Sequence, residues 1–236
     1  MKILLTGALG MVGRNIVEHK FSSEHEILSP TSKELNLLDS VSVSGYVDEN
    51  EPDMVIHAAG VVGGIRANIT HPVRFLVDNM YMGLNILMAS KDCGVKRFMN
   101  FSSSCMYPRD AKNPLSEDLI LKGELEPTNE GYAIAKVAST RLCEYINREN
   151  ESYLYKTVIP CNLYGKYDKF NPEYSHMIPA VIRKINNAKN KGLRSIDIWG
   201  NGLTRREFMY AADFADFVYY AINNFETMPQ NINVGL

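Results

Sequence analysis

Three residues in the middle of the chain have side chains that together could protonate a carbonyl oxygen. Ser103 lies just after an apolar run, residues 98–101, that predicts a buried strand. Tyr132 and Lys136 are four residues apart, a spacing that places both side chains on one face of a helix. A hydroxyl, a phenol and an ammonium group in one pocket form a proton-donating site. Reduction at this site requires a hydride source elsewhere in the chain.

A glycine-rich loop near the N-terminus is the expected hydride-carrier site. Gly7, Gly10 and Gly13 follow the first predicted strand and open the first predicted helix. In this pattern the first glycine permits a tight turn, the second lets the backbone approach a pyrophosphate, and the third allows close packing of helix on sheet. The helix start also offers free N–H groups to phosphates. The arrangement predicts a dinucleotide site, with a purely structural turn as the alternative.

The residues after the second predicted strand bear on the choice of dinucleotide. NAD sites usually place an acidic residue there, on the ribose 2′-hydroxyl. This chain instead has Ser32 and Lys33, a hydroxyl and a cation that suit a 2′-phosphate. NADP is therefore favoured and NAD remains possible, because Lys33 could equally be a surface lysine. Asp39 comes later, where it either caps a helix or touches the adenine.

Short apolar runs alternate with helical patterns along the chain, which predicts an α/β fold with a doubly wound parallel sheet of the Rossmann type. The predicted strands are residues 2–5, 26–28, 54–58, 97–101, 156–159, 195–199, 206–210 and 231–234. The predicted helices are residues 11–21, 39–47, 72–93, 131–147, 177–188 and 211–225. Residues 112–129 are expected to form a loop. The last strand comes just before the end, which suggests a truncated chain or a strand that simply pairs last.

Composition excludes several classes of protein. The 236 residues are 45% hydrophobic and 22% charged with a formal net charge of −2, an ordinary globular balance with no electrostatic basis for binding nucleic acid. No apolar run approaches the roughly 18–20 residues that cross a bilayer. Four cysteines without a C-x-x-C pair argue against a disulfide framework or a zinc site. We expect a cytoplasmic protein with no bound metal and no membrane partner.

Several sequence blocks resemble those of the extended short-chain dehydrogenases/reductases, in the NAD-dependent epimerase/dehydratase family. The blocks include residues 62–68 (VGGIRAN), 103–108 (SSCMYP) and 126–136 (EPTNEGYAIAK). They are most similar to the GDP-L-fucose synthase branch of nucleotide-sugar metabolism, and the resemblance runs from Met1 to Leu236. It implies NADPH-dependent epimerisation at C3 and C5 and reduction at C4 of GDP-4-keto-6-deoxy-D-mannose, giving GDP-L-fucose.

The resemblance and the residue chemistry together assign catalytic roles. Tyr132 is the expected acid, with its pKa lowered by the charge of Lys136. Ser103 is expected to donate a hydrogen bond to the developing oxyanion. Cys105 is the candidate base for epimerisation, since two residues along an extended segment it points to the same side as Ser103. His176 is the matching acid. Taken singly, the cysteine could be a small hydrophobe and the histidine a structural residue.

The cofactor and substrate residues are less specific. The expected cofactor contacts are Gly7, Gly10, Met11, Val12, Gly13, Ser32, Lys33, Asp39, Ala58, Ala59, Lys136, Pro160, Asn162 and Leu163. The expected substrate contacts are Asn162, Lys184, Trp199 and Arg206. Asn162 could instead cap a turn, Trp199 could be packing, and Arg206 could be a surface charge.

The resemblance also implies a domain division and a homodimer. Residues 1–163 are expected to form the NADP-binding domain, with 206–225 packing back onto it. Residues 164–205 and 226–236 would form a smaller, partial substrate domain for the sugar nucleotide. The predicted helices 72–93 and 131–147 would form the dimer interface.

The chain departs from the family pattern around the sugar and nucleotide pockets, at Leu9, Lys184 and residues 165–170. Two alternatives therefore stay open. One is a reductase or epimerase of a related GDP-4-keto-hexose or GDP-4-keto-heptose. The other is a dinucleotide-binding protein without catalysis.

Overall fold

Residues 1–172, 174–198 and 200–235 are described by a computed structural model, and this part of the chain contains eight strands and seven α-helices. The strands are β1 (Lys2–Thr6), β2 (Glu26–Leu28), β3 (Met54–His57), β4 (Arg97–Phe101), β5 (Leu154–Pro160), β6 (Asn162–Tyr164), β7 (Phe208–Tyr210) and β8 (Asn231–Val234). The helices are α1 (Met11–Val17), α2 (Ser40–Asn50), α3 (Ile65–Thr70), α4 (Pro72–Asp92), α5 (Glu130–Glu149), α6 (Met177–Asn190) and α7 (Ala211–Asn223).

Six strands form one parallel sheet in the order β2-β1-β3-β4-β5-β8. The chain leaves β1 toward β2 on one side and then returns to place β3 on the other side of β1. This reversal creates a crevice at the carboxyl ends of β1 and β3, where open α/β sheets bind ligands. β6 and β7 form a separate two-stranded parallel sheet. The expected α/β fold with a doubly wound parallel sheet is confirmed.

Both faces of the large sheet are buried, which explains why its strands are continuous apolar runs rather than alternating ones. Ile3 and Leu5 point to the face covered by α1 and α7, where Phe214 is also buried. Leu4 points to the opposite face and packs with Val43 of α2 and residues of α4 and α5. Successive residues of one strand therefore serve two different cores.

Some elements differ from the sequence-based expectation. Helix α1 ends at Val17 rather than near residue 21, and the ring of His19 beyond it stacks on Tyr219 at 4.5 Å between centroids. α3 and β6 were not expected. The predicted strand at 195–199 is wrong for residues 195–198, which are not in a strand, and Ile198 is 62% exposed. A strand forms only where a neighbour satisfies its backbone groups, and sequence alone does not supply that neighbour.

The final strand corrects the predicted position of residues 226–236. The sequence predicts that they belong to the substrate domain, but β8 hydrogen-bonds in parallel to β5 in the large sheet, with Val158 opposite Ile232. β8 completes the sheet because its apolar residues, including Val234, join the same core as α7. The rest of the domain division stays a prediction.

Two further findings concern the described part of the chain. None of its helices is both long and apolar enough to cross a membrane. It also contains no cluster of three or more His, Cys, Asp or Glu residues placed to hold a metal ion.

Candidate active site

Lys136 connects helix α5 to the end of strand β4. Its ammonium Nζ donates a hydrogen bond to the carbonyl oxygen of Phe101, the last residue of β4, at 2.9 Å. The same Nζ lies 5.8 Å from the centroid of the Tyr132 ring, one helical turn earlier on α5. Lys136 is only 7% exposed. The structure therefore brings Tyr132 and Lys136 together as the four-residue spacing predicts.

Burial dominates the protonation of both side chains. It lowers the pKa of Lys136 to about 8. It also raises the pKa of Tyr132, with a further rise from neighbouring Cys105, while a hydrogen bond with Ser103 acts in the opposite direction. The expected lowering of the Tyr132 pKa by Lys136 is wrong for this arrangement. The unfavourable free energy of moving the Tyr132 phenolate out of water exceeds the stabilisation that the hydrogen bond with Ser103 provides.

Ser103 and Cys105 lie in a tight turn after β4. The Ser103 hydroxyl oxygen accepts a hydrogen bond from the backbone N–H of Cys105 at 3.3 Å, and Ser104–Met106 form one turn of 3₁₀ helix. The extended segment assumed in placing Cys105 beside Ser103 is therefore wrong, because the capping hydroxyl favours a turn. The turn nevertheless keeps both residues next to Tyr132, since each affects its pKa.

The Cys105 thiol is held by a neighbour that the motif analysis did not single out. Its Sγ accepts a hydrogen bond from the side-chain amide of Asn129 at 3.0 Å. Burial raises the pKa of Cys105, and hydrogen bonds from Ser103 and Asn129, together with the charge of Arg206, act to lower it. Arg206, an exposed residue, thus lies within electrostatic reach of the thiol.

His176 begins helix α6 as its N-cap residue. Burial lowers its pKa, and the charge of Asp168 opposes that change. The loop before it docks on the predicted VGGIRAN block, because a Cβ added to Gly64 would lie 2.7 Å from the carbonyl oxygen of Ser175. A pairing of His176 with Cys105 across a substrate stays a prediction.

The glycine loop has no room for a side chain at Gly7 or Gly13. Gly7 has a positive φ of 73°, and a Cβ there would lie 2.6 Å from the backbone nitrogen of Ala59. A Cβ on Gly13 would lie 2.3 Å from the carbonyl oxygen of Gly7. The turn is closed by a hydrogen bond from Gly10 N–H to Gly7 oxygen at 3.0 Å. This bare turn lies at the reversal point of the sheet, so the residues present fit a dinucleotide pyrophosphate.

The other expected cofactor residues lie around the same edge of the sheet. Met11 and Val12 form the first turn of α1, and Ala58 and Ala59 follow β3. Ser32 and Lys33 are exposed in a turn after β2. Their contacts with a cofactor stay predictions.

Asp39 is a helix cap. Its carboxylate accepts hydrogen bonds from the backbone N–H groups of Val41 at 3.0 Å and Ser42 at 3.3 Å, at the start of α2. The capping interpretation of this residue is confirmed, while a contact with the adenine stays a prediction.

The remaining predicted contacts lie at the end of β5, in β6 and on α6. Pro160 ends β5, and Leu163 of β6 packs against the core beneath α7. The Asn162 amide donates to the carbonyl oxygen of Glu207 at 3.0 Å, which ties β6 to the segment before β7. Lys184 Nζ donates to the carbonyl oxygen of Asp197 at 2.8 Å. Trp199 lies outside the described residues.

Two buried polar residues that support the site are not among those predicted from the sequence. His57 ends β3 and shares a 2.8 Å hydrogen bond with the Thr6 hydroxyl through Nδ1. Burial, together with the charge of Lys136, lowers its pKa to about 3, so the ring is neutral at pH 7. Asn79 of α4 both accepts from the N–H of Val61 at 2.9 Å and donates to its carbonyl at 3.0 Å. The sequence signal for His57 is its position, since it is a polar residue directly after the apolar run 54–56.

Comparison with known proteins places this geometry in a family. A family model described as the NAD dependent epimerase/dehydratase family matches residues 3–235. The chain belongs to this family, whose members are enzymes. The site and the fold therefore define a nucleotide-dependent epimerase, dehydratase or reductase of the Rossmann type.

The similarity to individual members of the family is more specific. The chain is 60% identical over 236 residues to a GDP-L-colitose synthase of Yersinia pseudotuberculosis, covering all of this chain and 77% of that protein. It is 48% identical over 235 residues to a GDP-L-fucose synthase of Azorhizobium caulinodans, covering 100% of this chain and 75% of that protein. A GDP-L-fucose synthetase from Naegleria fowleri bound to NADP superposes with a TM-score of 0.88 at 30% identity, covering 100% of this chain and 76% of that one.

Proposed function

We propose that this protein is an NADPH-dependent epimerase and reductase of a GDP-linked 4-keto-6-deoxy sugar. The observation that carries the proposal is the cluster of Ser103, Cys105, Tyr132 and Lys136 at the carboxyl end of β4, on the same sheet edge as the bare glycine loop. The relatives named as GDP-sugar synthases and the neighbour bound to NADP support the same substrate and cofactor.

The cofactor, when bound, supplies the hydride for the carbonyl carbon. The glycine loop would hold its pyrophosphate, and Lys136 would hydrogen-bond the nicotinamide ribose. Ser32 and Lys33 are the residues available to a 2′-phosphate. Their exposure leaves both side chains free to reorient toward such a group.

Tyr132 supplies the proton in the reduction. The phenol O–H would give its proton to the C4 carbonyl oxygen and become a phenolate, which solvent later reprotonates. The raised pKa of Tyr132 keeps the free phenol protonated at neutral pH. The cation of Lys136, 5.8 Å from the ring centroid, stabilises the phenolate as it forms, and Ser103 donates to the developing oxyanion.

Epimerisation uses a second pair of groups. A 4-keto group makes the neighbouring C3 and C5 protons acidic, and inversion requires removal from one face and return to the other. Cys105 as thiolate would take the proton, and His176 as imidazolium would give one back on the opposite face. Each cycle leaves Cys105 protonated and His176 neutral, and solvent exchange restores both.

The sugar itself has two candidates. Sequence motifs favour GDP-4-keto-6-deoxy-D-mannose and hence GDP-L-fucose as product. The higher identity to a GDP-L-colitose synthase, 60% against 48% for a GDP-L-fucose synthase, favours GDP-L-colitose. The two relatives share the GDP group and differ in the named sugar.

Direct assay distinguishes these candidates. The purified protein is incubated with NADPH and, separately, with GDP-4-keto-6-deoxymannose and the 4-keto precursor of GDP-L-colitose. We expect NADPH oxidation with at least one substrate, and deuterium uptake from ²H₂O beside the keto group. Absence of NADPH oxidation with both contradicts the reductase assignment. Undiminished deuterium uptake in both Cys105→Ser and His176→Asn contradicts the proposed epimerisation residues.

The non-catalytic alternative gives a different result in the same assay. A protein that only binds the dinucleotide would show NADPH fluorescence enhancement without oxidation with either sugar. Tyr132→Phe would then change no rate.

A further inference from the structure

Asn129 lies at the position just before helix α5, where an asparagine side chain normally caps the helix. The side-chain oxygen of an N-cap asparagine usually accepts a hydrogen bond from an N–H group in the first turn. Within the described residues Asn129 makes no such bond, although it is the N-cap residue of α5 with φ −138° and ψ 20°. Its side chain is therefore used for something other than capping.

The amide of Asn129 is directed at the Cys105 thiol. Its Nδ2 lies 3.0 Å from Cys105 Sγ. Its Oδ1 is buried and has no hydrogen-bond partner among the described residues. A buried amide oxygen without a partner is destabilising, and so is the loss of a helix cap. This orientation thus gives up two stabilising interactions to retain one contact with sulfur.

We propose that Asn129 is a positioning residue for the epimerisation base: its amide N–H fixes Cys105 Sγ and stabilises the thiolate. The inference rests on the proposed function and deepens it. Asn129 is three residues before Tyr132, so the first turn of α5 carries the acid for reduction and holds the base for epimerisation. The start of α5 would then position groups for both reactions.

The physical reason is the charge that develops on sulfur. A neutral thiol is a weak acceptor, whereas a thiolate forms a charge-assisted bond that is much stronger. Burial raises the pKa of Cys105, and the hydrogen bonds of Ser103 and Asn129 oppose it. Removing the Asn129 donor would leave burial less opposed, so less thiolate would be present at neutral pH.

The test compares Asn129→Ser with the unchanged protein by iodoacetamide alkylation over pH 6.5–10.5. Serine is also a favoured N-cap residue, so the start of α5 is preserved while the side chain is too short to reach Sγ. Alkylation of Cys105 is measured by mass spectrometry, with exposed Cys93 in the same sample as the internal control. We expect the midpoint of the pH dependence of Cys105 alkylation to rise by about one pH unit. This corresponds to an alkylation rate about tenfold lower at pH 7. The Cys93 profile should not change.

A second variant keeps the test decisive if serine perturbs the fold. Asn129→Asp keeps the shape of the side chain and replaces the donor with a negative charge, so the Cys105 midpoint should rise at least as far. Circular dichroism and NADPH binding report whether either variant is folded. A Cys105 midpoint within 0.3 pH units of the unchanged protein in a folded variant, roughly a twofold rate change or less, would overturn the proposal.

Substrate exchange separates this inference from the proposed function. Alkylation needs no sugar, so the shift tests the positioning role alone. If the proposed function also holds, Asn129→Ser should reduce deuterium uptake into the 4-keto sugar about tenfold, with the KM for NADPH unchanged. A shifted midpoint with no exchange in any form of the protein would contradict the epimerase function, while the effect of Asn129 on the Cys105 thiolate would still hold.

Discussion

At the scale of single residues, the site is governed by the removal of charge from water. Burial raises the pKa of Tyr132, lowers that of Lys136 to about 8 and keeps His57 neutral. The free protein therefore holds its phenol protonated, ready to act as an acid. The nearby cation becomes important when the phenol loses its proton, since charges interact strongly in a site shielded from water.

The first prediction concerns the proton donor. Tyr132→Phe removes the phenol oxygen and keeps the ring, so NADPH oxidation with the 4-keto sugar should fall by about 10²- to 10⁴-fold. NADPH binding, followed by fluorescence, should change less than about twofold because the glycine loop is untouched. Tyr220→Phe, on the exposed side of α7, is the control. Full activity in Tyr132→Phe would remove Tyr132 from the mechanism.

The second prediction concerns pH and Lys136. Its pKa is about 8 in the folded state and about 10.4 when unfolded, so between these values the unfolded chain binds more protons. Stability from this group must therefore rise with pH in that range. Between pH 7.5 and 9.5 the free energy of unfolding should increase by about 2 kcal/mol because of Lys136. Lys136→Met should abolish this increase.

Urea denaturation of the unchanged protein and of Lys136→Met, each at pH 7.5 and pH 9.5, measures this effect. The contribution of Lys136 is the change in unfolding free energy of the unchanged protein minus that of the variant. Taking the difference cancels other groups that titrate in the same range. Lys189→Met, on the exposed surface of α6, should reproduce the pH dependence of the unchanged protein. An equal dependence in Lys136→Met would show that Lys136 is solvated in the folded state.

At the scale of elements, three strand ends carry the proposed catalytic and cofactor-binding residues or a neighbour that supports them. β1 leads into the glycine loop, β3 ends in His57, and β4 leads into the Ser103–Cys105 turn. In a parallel sheet these ends lie along one edge. Helix α5 then adds Tyr132 and Lys136 by packing back over β4. Each element follows from local sequence, and their common edge follows from parallel pairing.

The third prediction tests the turn after β1. Gly7→Ala puts a side chain on a left-handed residue, with its Cβ only 2.6 Å from the Ala59 nitrogen. We expect a loss of about 2–5 kcal/mol in the free energy of unfolding. NADPH binding should weaken by more than tenfold, since the displaced turn would obstruct the pyrophosphate.

Gly45→Ala is the matched control for this change. Among the described residues, a Cβ at this position in α2 meets nothing within 4 Å. Alanine should therefore stabilise the protein by about 0.5–1 kcal/mol. Denaturation and fluorescence titration measure both variants. Wild-type NADPH affinity in Gly7→Ala would contradict the role given to the turn.

At the scale of the whole molecule, α4 and α5 share an exposed apolar surface. Val73, Val77, Tyr81 and Met88 follow one another along α4 at helical spacing, and Ile134 is exposed on neighbouring α5. Tyr81 is 54% exposed. We propose that this surface pairs with a second copy of the chain, as the family resemblance implies for these two helices.

The fourth prediction follows from that surface. Light scattering should give twice the mass of one chain, and the Val77→Lys/Tyr81→Lys double variant should give the mass of one. Val41→Lys, which changes a 79% exposed valine on α2, is the control and should stay dimeric. A monomeric unchanged protein at micromolar concentration would contradict the homodimer.

The glycine loop and the pairing of Tyr132 with Lys136 are predictable from sequence because each depends on residues close together in the chain. The fold class is predictable because strand and helix patterns alternate along the whole chain. The sequence leaves Asp39 open between a helix cap and an adenine contact, and the hydrogen bonds at the start of α2 establish the cap. Three features depend on the folded structure: the rise in the Tyr132 pKa caused by burial, the place of β8 in the large sheet, and the contact of Asn129 with Cys105. Desolvation, strand pairing and the contact of residues 24 positions apart all depend on which distant segments meet, and local periodicity carries no information about that.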